Sequence, residues 1–212
     1  MIKGRLKSEE KPISRVSLEK KLRFKIVPNS LRLFTGLAIE YPVRRNLELV
    51  LEHLRPLAPI QWSPNDNFHI TTKFIGAWDP DRLDDLKRAL ASVARSGPIT
   101  VGVGGFGWYP NPHQPRVLFT GVRAPEPLLK LAHNIEEACE SLGLLREPRT
   151  YSPHLTIARI KGAGADLAPL RQAIAQLPSA EFGNSTATKF LLYKSEPGEA
   201  ASTYSVIGEF PL

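Results

Sequence analysis

The sequence predicts an α+β protein: two pseudo-symmetric lobes with antiparallel or mixed sheets and flanking helices around a central cleft. Three observations carry the prediction. Phe68-His69-Ile70-Thr71-Thr72 and Pro153-His154-Leu155-Thr156-Ile157 each hold His-x-Thr among β-forming residues. The histidines are separated by 154 − 69 = 85 positions, and the same offset carries Leu33-Phe34-Thr35-Gly36 onto the identical Leu118-Phe119-Thr120-Gly121, the mark of an internal duplication. Strand-like and helix-like segments also alternate in both halves.

In chain order, Leu31–Ile39 is a continuous apolar run rich in β-formers and reads as a buried strand. Pro42 opens a helix over Val43–Leu54, with Leu47, Val50, Leu51 and Leu54 on one face. Gln61–Asn67 is a polar loop leading into the first His-x-Thr strand, Phe68–Ile75, which Gly76 ends. Asp79-Pro80-Asp81 starts a second helix, with Leu83, Leu86 and Leu90 inward. Ile99–Val103 is a strand, and Gly104-Gly105-Phe106-Gly107 after it reads as a bend, since no helix with a Lys or acidic partner follows to make it a phosphate loop.

Tyr109-Pro110-Asn111-Pro112-His113-Gln114-Pro115 is turn-rich, and Arg116–Val122 opens the second copy as a strand. A helix from Glu126 to Leu142 buries Leu128, Leu131, Ile135 and Cys139 and stops at Gly143. The second His-x-Thr strand is His154–Ile160, followed by a glycine loop and a short helix, Leu167–Leu177. Two strands, Lys189–Lys194 and Thr203–Phe210, close the chain around Pro197-Gly198. His53, His113 and His133 lie on helix faces or in the turn and read as structural.

Composition sets outer bounds. A chain of 212 residues buries an adequate core without disulfides, and its one cysteine, Cys139, cannot bridge internally. No apolar run approaches the roughly 20 residues a membrane helix needs, and no apolar signal core stands near the N-terminus. The expectation is a reduced, cytoplasmic, monomeric protein with no membrane partner. The net charge of +7 resides mainly in residues 1–25, where nine Lys or Arg against three Glu give +6. Residues 1–30 are therefore read as a basic, flexible extension of a solvated kind, and residues 31–212 as the folded unit.

In an extended strand alternate side chains share a face, so His69 with Thr71, and His154 with Thr156, project together. Two imidazoles with ordinary pKa values of about 6.5 can work in opposite protonation states near neutrality. Phosphodiester cleavage needs that, because attacking water must lose a proton while the leaving oxygen gains one on the opposite side of phosphorus. The threonine hydroxyls can donate to non-bridging oxygens. The scheme needs no metal or other cofactor, and the carboxylates lie mostly on presumed helix faces rather than beside the histidines. Lys73 shares the parity of His69 and is the nearest candidate cation by alternation. Phe34 and Phe119 are possible stacking surfaces for a terminal base, although both sit in core-like strands.

An ordered set of segments extends the pattern: Arg32-Leu33-Phe34, His69-Ile70-Thr71-Thr72-Lys73-Phe74-Ile75-Gly76, Pro115-Arg116-Val117-Leu118-Phe119, Ser152-Pro153-His154-Leu155-Thr156-Ile157-Ala158-Arg159, Leu192-Tyr193-Lys194-Ser195, Tyr204 and Glu209-Phe210-Pro211-Leu212. Over about residues 31–212 the chain resembles the RNA 2′,3′-cyclic phosphodiesterases of the LigT-like branch of the two-histidine phosphoesterase superfamily. The resemblance implies metal-independent hydrolysis of an RNA 2′,3′-cyclic phosphate, or of a nucleotide bearing one, to a 2′-phosphomonoester. It implies His69 as proton donor to the departing 3′-oxygen and His154 as proton acceptor from water, with Thr71, Thr156 and Arg159 on the phosphate. Strict alternation places Arg159 on the face opposite His154, which a twist or strand end would have to correct. Thr72 stands where the family carries an apolar residue and should point away from the cleft. Alternatives are 2′,5′ RNA ligation, opening of small cyclic nucleotides on the same site, and a non-catalytic RNA-end-binding module.

Overall fold

In a computed structural model, residues 29–162, 164–199 and 201–212 are described, so the expectation for the basic segment before residue 29 lies outside the described residues. The strands are β1 (Leu31–Ala38), β2 (Gln61–Trp62), β3 (His69–Trp78), β4 (Ile99–Tyr109), β5 (Val117–Arg123), β6 (His154–Arg159), β7 (Glu181–Ala187), β8 (Lys189–Glu196) and β9 (Thr203–Pro211). The α-helices are α1 (Tyr41–Leu54), α2 (Leu83–Ala91), α3 (Glu126–Glu140) and α4 (Ala168–Ala175). All strand pairings are antiparallel, which settles the expected antiparallel-or-mixed choice.

The strands form one sheet in the order β7-β4-β5-β6-β3-β1-β8-β9, with β2 added on β6. The order splits into equivalent halves, β9-β8-β1-β3 and β7-β4-β5-β6, each ending in its His-x-Thr strand. The lobes meet where Ile70 pairs with Leu155, the one pair between β3 and β6 among the described residues. This narrow junction brings the two His-x-Thr strands side by side. The helices lock the halves together by crossing over: α1 follows β1 but packs on β7, and α3 follows β5 but packs on β3.

Helix patterning is close to the sequence reading. Val43, Leu47, Leu51 and Leu54 are the buried stripe of α1, Leu86 and Leu90 that of α2, and Leu128, Leu131, Ile135 and Cys139 that of α3. Their spacing of three and four residues turns them to the same sheet face as Leu37, Ile70, Leu118 and Leu155. Burial there pushes the Cys139 thiol up to about 11.

The expected bend at residues 104–107 is a correction: β4 runs straight through it to Tyr109. The segment forms no turn, and its glycines meet different surroundings. A Cβ on Gly107 would lie 2.3 Å from the Phe119 ring, and one on Gly104 2.8 Å from the Glu181 carboxylate. Only Gly105 has a positive φ, 73°, at a bulge in the β4–β5 ladder. Two strands went unread: β2 in the supposed loop, and β7, whose Glu181-Phe182-Gly183-Asn184-Ser185-Thr186-Ala187 buries only Phe182 and Ser185.

Candidate functional site

Alternation in β3 and β6 sorts the two motifs cleanly. Ile70 and Leu155 are fully buried on the helix-covered face, so His69, Thr71, His154 and Thr156 stand half-buried on the other. Because Ile70 pairs with Leu155 in antiparallel sense, continuing the register sets His69 across from Thr156 and His154 across from Thr71. One short crossing therefore collects both imidazoles and both hydroxyls.

Each imidazole is held the same way. Nδ1 of His69 lies 2.6 Å from the carbonyl oxygen of Asn67, and Nδ1 of His154 2.8 Å from that of Ser152, equivalent positions under the 85-residue offset. A carbonyl only accepts, so each Nδ1 carries the proton and each Nε2 is left for the cleft. In the neutral ring the Thr71 hydroxyl donates to His69 Nε2 at 3.0 Å. Tyr151, on the approach to β6, donates its hydroxyl to the Thr71 carbonyl at 3.0 Å. Reciprocally, β2, on the approach to β3, pairs with the end of β6, and Ser63 N–H donates to the Ile157 carbonyl at 2.8 Å. Each motif is thus braced by the segment leading into the other.

Aromatic rings complete the seating. Phe34 lies 4.7 Å from His69 between ring centroids and stacks on Tyr193 at 4.9 Å, with Tyr204 edge-on to both Phe34 and His69. In the other half Phe119 lies 5.4 Å from His154 and stacks on Tyr109 at 4.4 Å. Phe34, only 4 % exposed, has no face left for a base, and Phe119 is wedged between Tyr109 and the space left by Gly107. These rings seat the imidazoles, and the burial of Phe34 corrects the expectation that it stacks on a base. Gly36 serves the same seat: a Cβ there would lie 2.7 Å from the Ile70 carbonyl and 3.4 Å from His69 Cδ2.

Lys73 is also corrected. The β1–β3 register slips at Thr72, where Thr35 faces Lys73 but Gly36 faces Thr71. The extra residue sends both Thr72 and Lys73 to the buried face. Lys73 there forms a buried ion pair with Glu136 of α3 and donates to the Leu145 carbonyl at 3.1 Å. Thr72 bonds Thr35 at 2.8 Å, pointing away from the cleft as expected. The equivalent slip occurs in β6, where Leu118 faces Ala158 but Phe119 faces Thr156. Ile157 and Ala158 both enter the core, and Arg159 is returned to the face of His154. Its position is therefore reconciled with alternation by a bulge. Sequence reasoning missed Phe74, the first-half counterpart of Arg159: it is 66 % exposed, on the cleft face, 6.2 Å from Phe34.

The electrostatics distinguish the histidines. Burial among Phe34, Tyr193 and Tyr204 pushes His69 down to about 4, helped by the positive charges of His154 and Arg159 and opposed by the Asn67 carbonyl. With its pKa that low, His69 is neutral at pH 7. Arg159, whose charge reaches His69, is a permanent cation on this face.

The LigT like Phosphoesterase family matches residues 37–119 and 122–201. An RNA 2′,3′-cyclic phosphodiesterase of Archaeoglobus fulgidus is 27 % identical over 78 % of this chain and 91 % of its own. One of Methanocaldococcus jannaschii is 29 % identical over 85 % of this chain and all of its own. One of Geobacillus stearothermophilus is 33 % identical over 71 % of this chain, and the match spans about half (47 %) of that longer protein. Among solved structures, a Thermus thermophilus protein superposes with TM-score 0.72 at 26 % identity, covering 85 % of this chain and 97 % of that one. Escherichia coli LigT complexed with 3′-AMP gives 0.70 at 22 % identity, covering 87 % and 99 %.

Proposed function

The chain belongs to the LigT-like phosphoesterases, and from that premise we propose that it hydrolyses RNA 2′,3′-cyclic phosphate ends to 2′-phosphomonoesters by acid–base catalysis between His69 and His154. The observation that carries the reading is the matched pair of imidazoles, each tied at Nδ1 to the carbonyl two residues before it and each sharing its face with a threonine hydroxyl. The names of the archaeal and bacterial relatives support the substrate.

In the reaction, His154 Nε2 takes a proton from water as its oxygen attacks phosphorus. The P–O3′ bond breaks, and protonated His69 delivers its Nε2 proton to the 3′-oxygen. One histidine gains the proton the other loses, and solvent exchange restores both. Thr71 and Thr156 donate to the non-bridging oxygens, where they stabilise charge that grows in the transition state. Arg159 completes the anion seat. For His69 to act as donor it must be protonated with substrate bound, and the phosphate charge supplies that proton affinity. Phe74, exposed at the position that Arg159 takes in the other half, offers the ring on which the terminal base stacks.

The test is incubation with a short RNA ending in a 2′,3′-cyclic phosphate, with a chelator present and the position of the product phosphate resolved. The wild type is expected to leave a 2′-phosphate, and His69→Ala and His154→Ala to lose about 10²-fold or more in turnover while staying folded. Tight binding without turnover would replace this reading with an RNA-end-binding module.

A further inference from the structure

We infer that Arg32 binds the phosphodiester immediately 5′ of the terminal nucleotide, so that the cleft is built for an RNA strand rather than a lone nucleotide. The inference rests on the proposed cyclic-phosphate hydrolysis and extends it along β1, away from the histidines.

The face of Arg32 follows from register. Phe34 pairs with Tyr193, and with Leu191 these two form a cluster separate from the main core. Leu33, one residue before Phe34, is 2 % exposed within the main core. Arg32, two residues before Phe34 and paired with Ser195, therefore returns to the cleft face, and it is exposed there. Ser195 pairs in turn with Tyr204, the ring that stands edge-on to His69. The row Arg32, Ser195, Tyr204 thus lies next to the row Phe34, Tyr193 that seats the histidine, about 7 Å further along the strand.

Charge points the same way. Most described arginines are held by a carboxylate, as Arg44 by Asp66 and Arg123 by Glu181, or by a carbonyl, as Arg171 by that of Pro112. Among the described residues Arg32 has neither an ion pair nor a side-chain hydrogen bond, as is also true of Arg95, Arg116 and Arg159, and of these four Arg32 and Arg159 are the two that register places on the histidines' face of the sheet. Arg32 on β1 and Arg159 on β6 are both exposed and stand in opposite lobes. Arg159 acts on the field at His69 and so on the cyclic phosphate, whereas Arg32 lies beyond Phe34, with Phe74 and Tyr204 around the same ring. A nucleotide whose cyclic phosphate sits between the histidines and whose base covers Phe74 leaves on its 5′ side past Arg32. An unpaired guanidinium is suited to that oxygen pair, since it offers two parallel donors and stays charged at any working pH.

The experiment compares the wild type, Arg32→Ala and Arg32→Lys on two substrates: a dinucleotide ending in a 2′,3′-cyclic phosphate, and a nucleoside 2′,3′-cyclic phosphate, which lacks the 5′ phosphate. Arg32→Ala is expected to lower kcat/KM about tenfold on the dinucleotide, mainly through KM, the scale of one hydrogen bond to a charged group. Arg32→Lys should recover part of the loss. The nucleoside should be hydrolysed within about twofold of wild type by both variants, which also shows that they fold. An equal loss on both substrates, or no loss on either, overturns the inference while leaving the hydrolysis intact. A wild type inert on both substrates removes the hydrolysis and this inference with it.

Discussion

A bound phosphate should change the charge of His69. Burial, helped by the Arg159 charge, holds His69 at about 4 in the free protein, so at pH 7 only about one molecule in a thousand carries the proton a general acid must donate. Making it half-protonated at pH 7 requires a rise of three units, or about 4 kcal/mol. One negative charge about 4 Å from the ring, at an effective dielectric of about 20, supplies about 4 kcal/mol. A single phosphate anion within contact of Nε2 therefore suffices. The assay is an NMR titration of the imidazole Cε1–H of His69, assigned with His69→Gln, in the free protein and with a saturating nucleoside 2′-phosphate, the product class. The free midpoint is expected near 4 and the bound midpoint near 7. A bound midpoint that stays near 4 would refute His69 as the acid at neutral pH and hand that role to His154.

The same burial makes stability depend on pH. The folded value of His69 lies below its ordinary 6.5, so its neutral form is favoured by folding. That contribution is complete above pH 6.5 and is lost as pH falls toward 4; at pH 5 the loss should be about 1–2 kcal/mol after allowing for residual solvent contact, and urea unfolding of wild type against His69→Asn measures it. Lys73→Met should cost about 3–5 kcal/mol by stranding Glu136 of α3 against β3, with Lys73→Met/Glu136→Leu recovering most of it and with kcat of the folded protein unchanged. Thr120 is fully buried and its hydroxyl has no hydrogen-bond partner among the described residues, whereas its counterpart Thr35 has Thr72. Thr120→Val should therefore be neutral to about 1 kcal/mol stabilising, and Thr35→Val destabilising by about 1–2 kcal/mol, both read by thermal unfolding.

Where one periodicity governed a segment, the sequence was legible. The 3.6-residue stripes of α1 and α3 and the two-residue alternation of the His-x-Thr strands each assign faces without tertiary knowledge, and the constant 85-residue offset announced the pairing of the lobes. Signals failed where a neighbour, rather than the local chain, decides the conformation. The glycines of β4 resemble a turn because Gly is the usual turn residue. In the fold they are strand positions, with Gly107 leaving room for the Phe119 ring and Gly105 supplying the positive φ of a bulge. At the sheet edge β7 pairs, among the described residues, with β4 alone, and with two buried side chains it shows no apolar pattern to read.

The bulges are the instructive case, because the same device had opposite consequences for two correct-looking inferences. Alternation promoted Lys73 to the cleft and banished Arg159 from it, and one extra residue in each strand reverses both. A hint was present in Ile157-Ala158, two successive core-type residues after the second motif, but Thr72-Lys73 hides it in the first, where a threonine hydroxyl and an ammonium are buried with dedicated partners. Duplication then diverged at the first position that returns to the cleft, Phe74 in one half and Arg159 in the other. A symmetric pair of histidines would otherwise accept a phosphodiester in either direction. Under the proposed reaction, an aromatic face on one side and a guanidinium on the other break that symmetry, so a substrate with a base at one end and a charged phosphate at the other is expected to bind in a single orientation, which is what the separate roles proposed for His69 and His154 require.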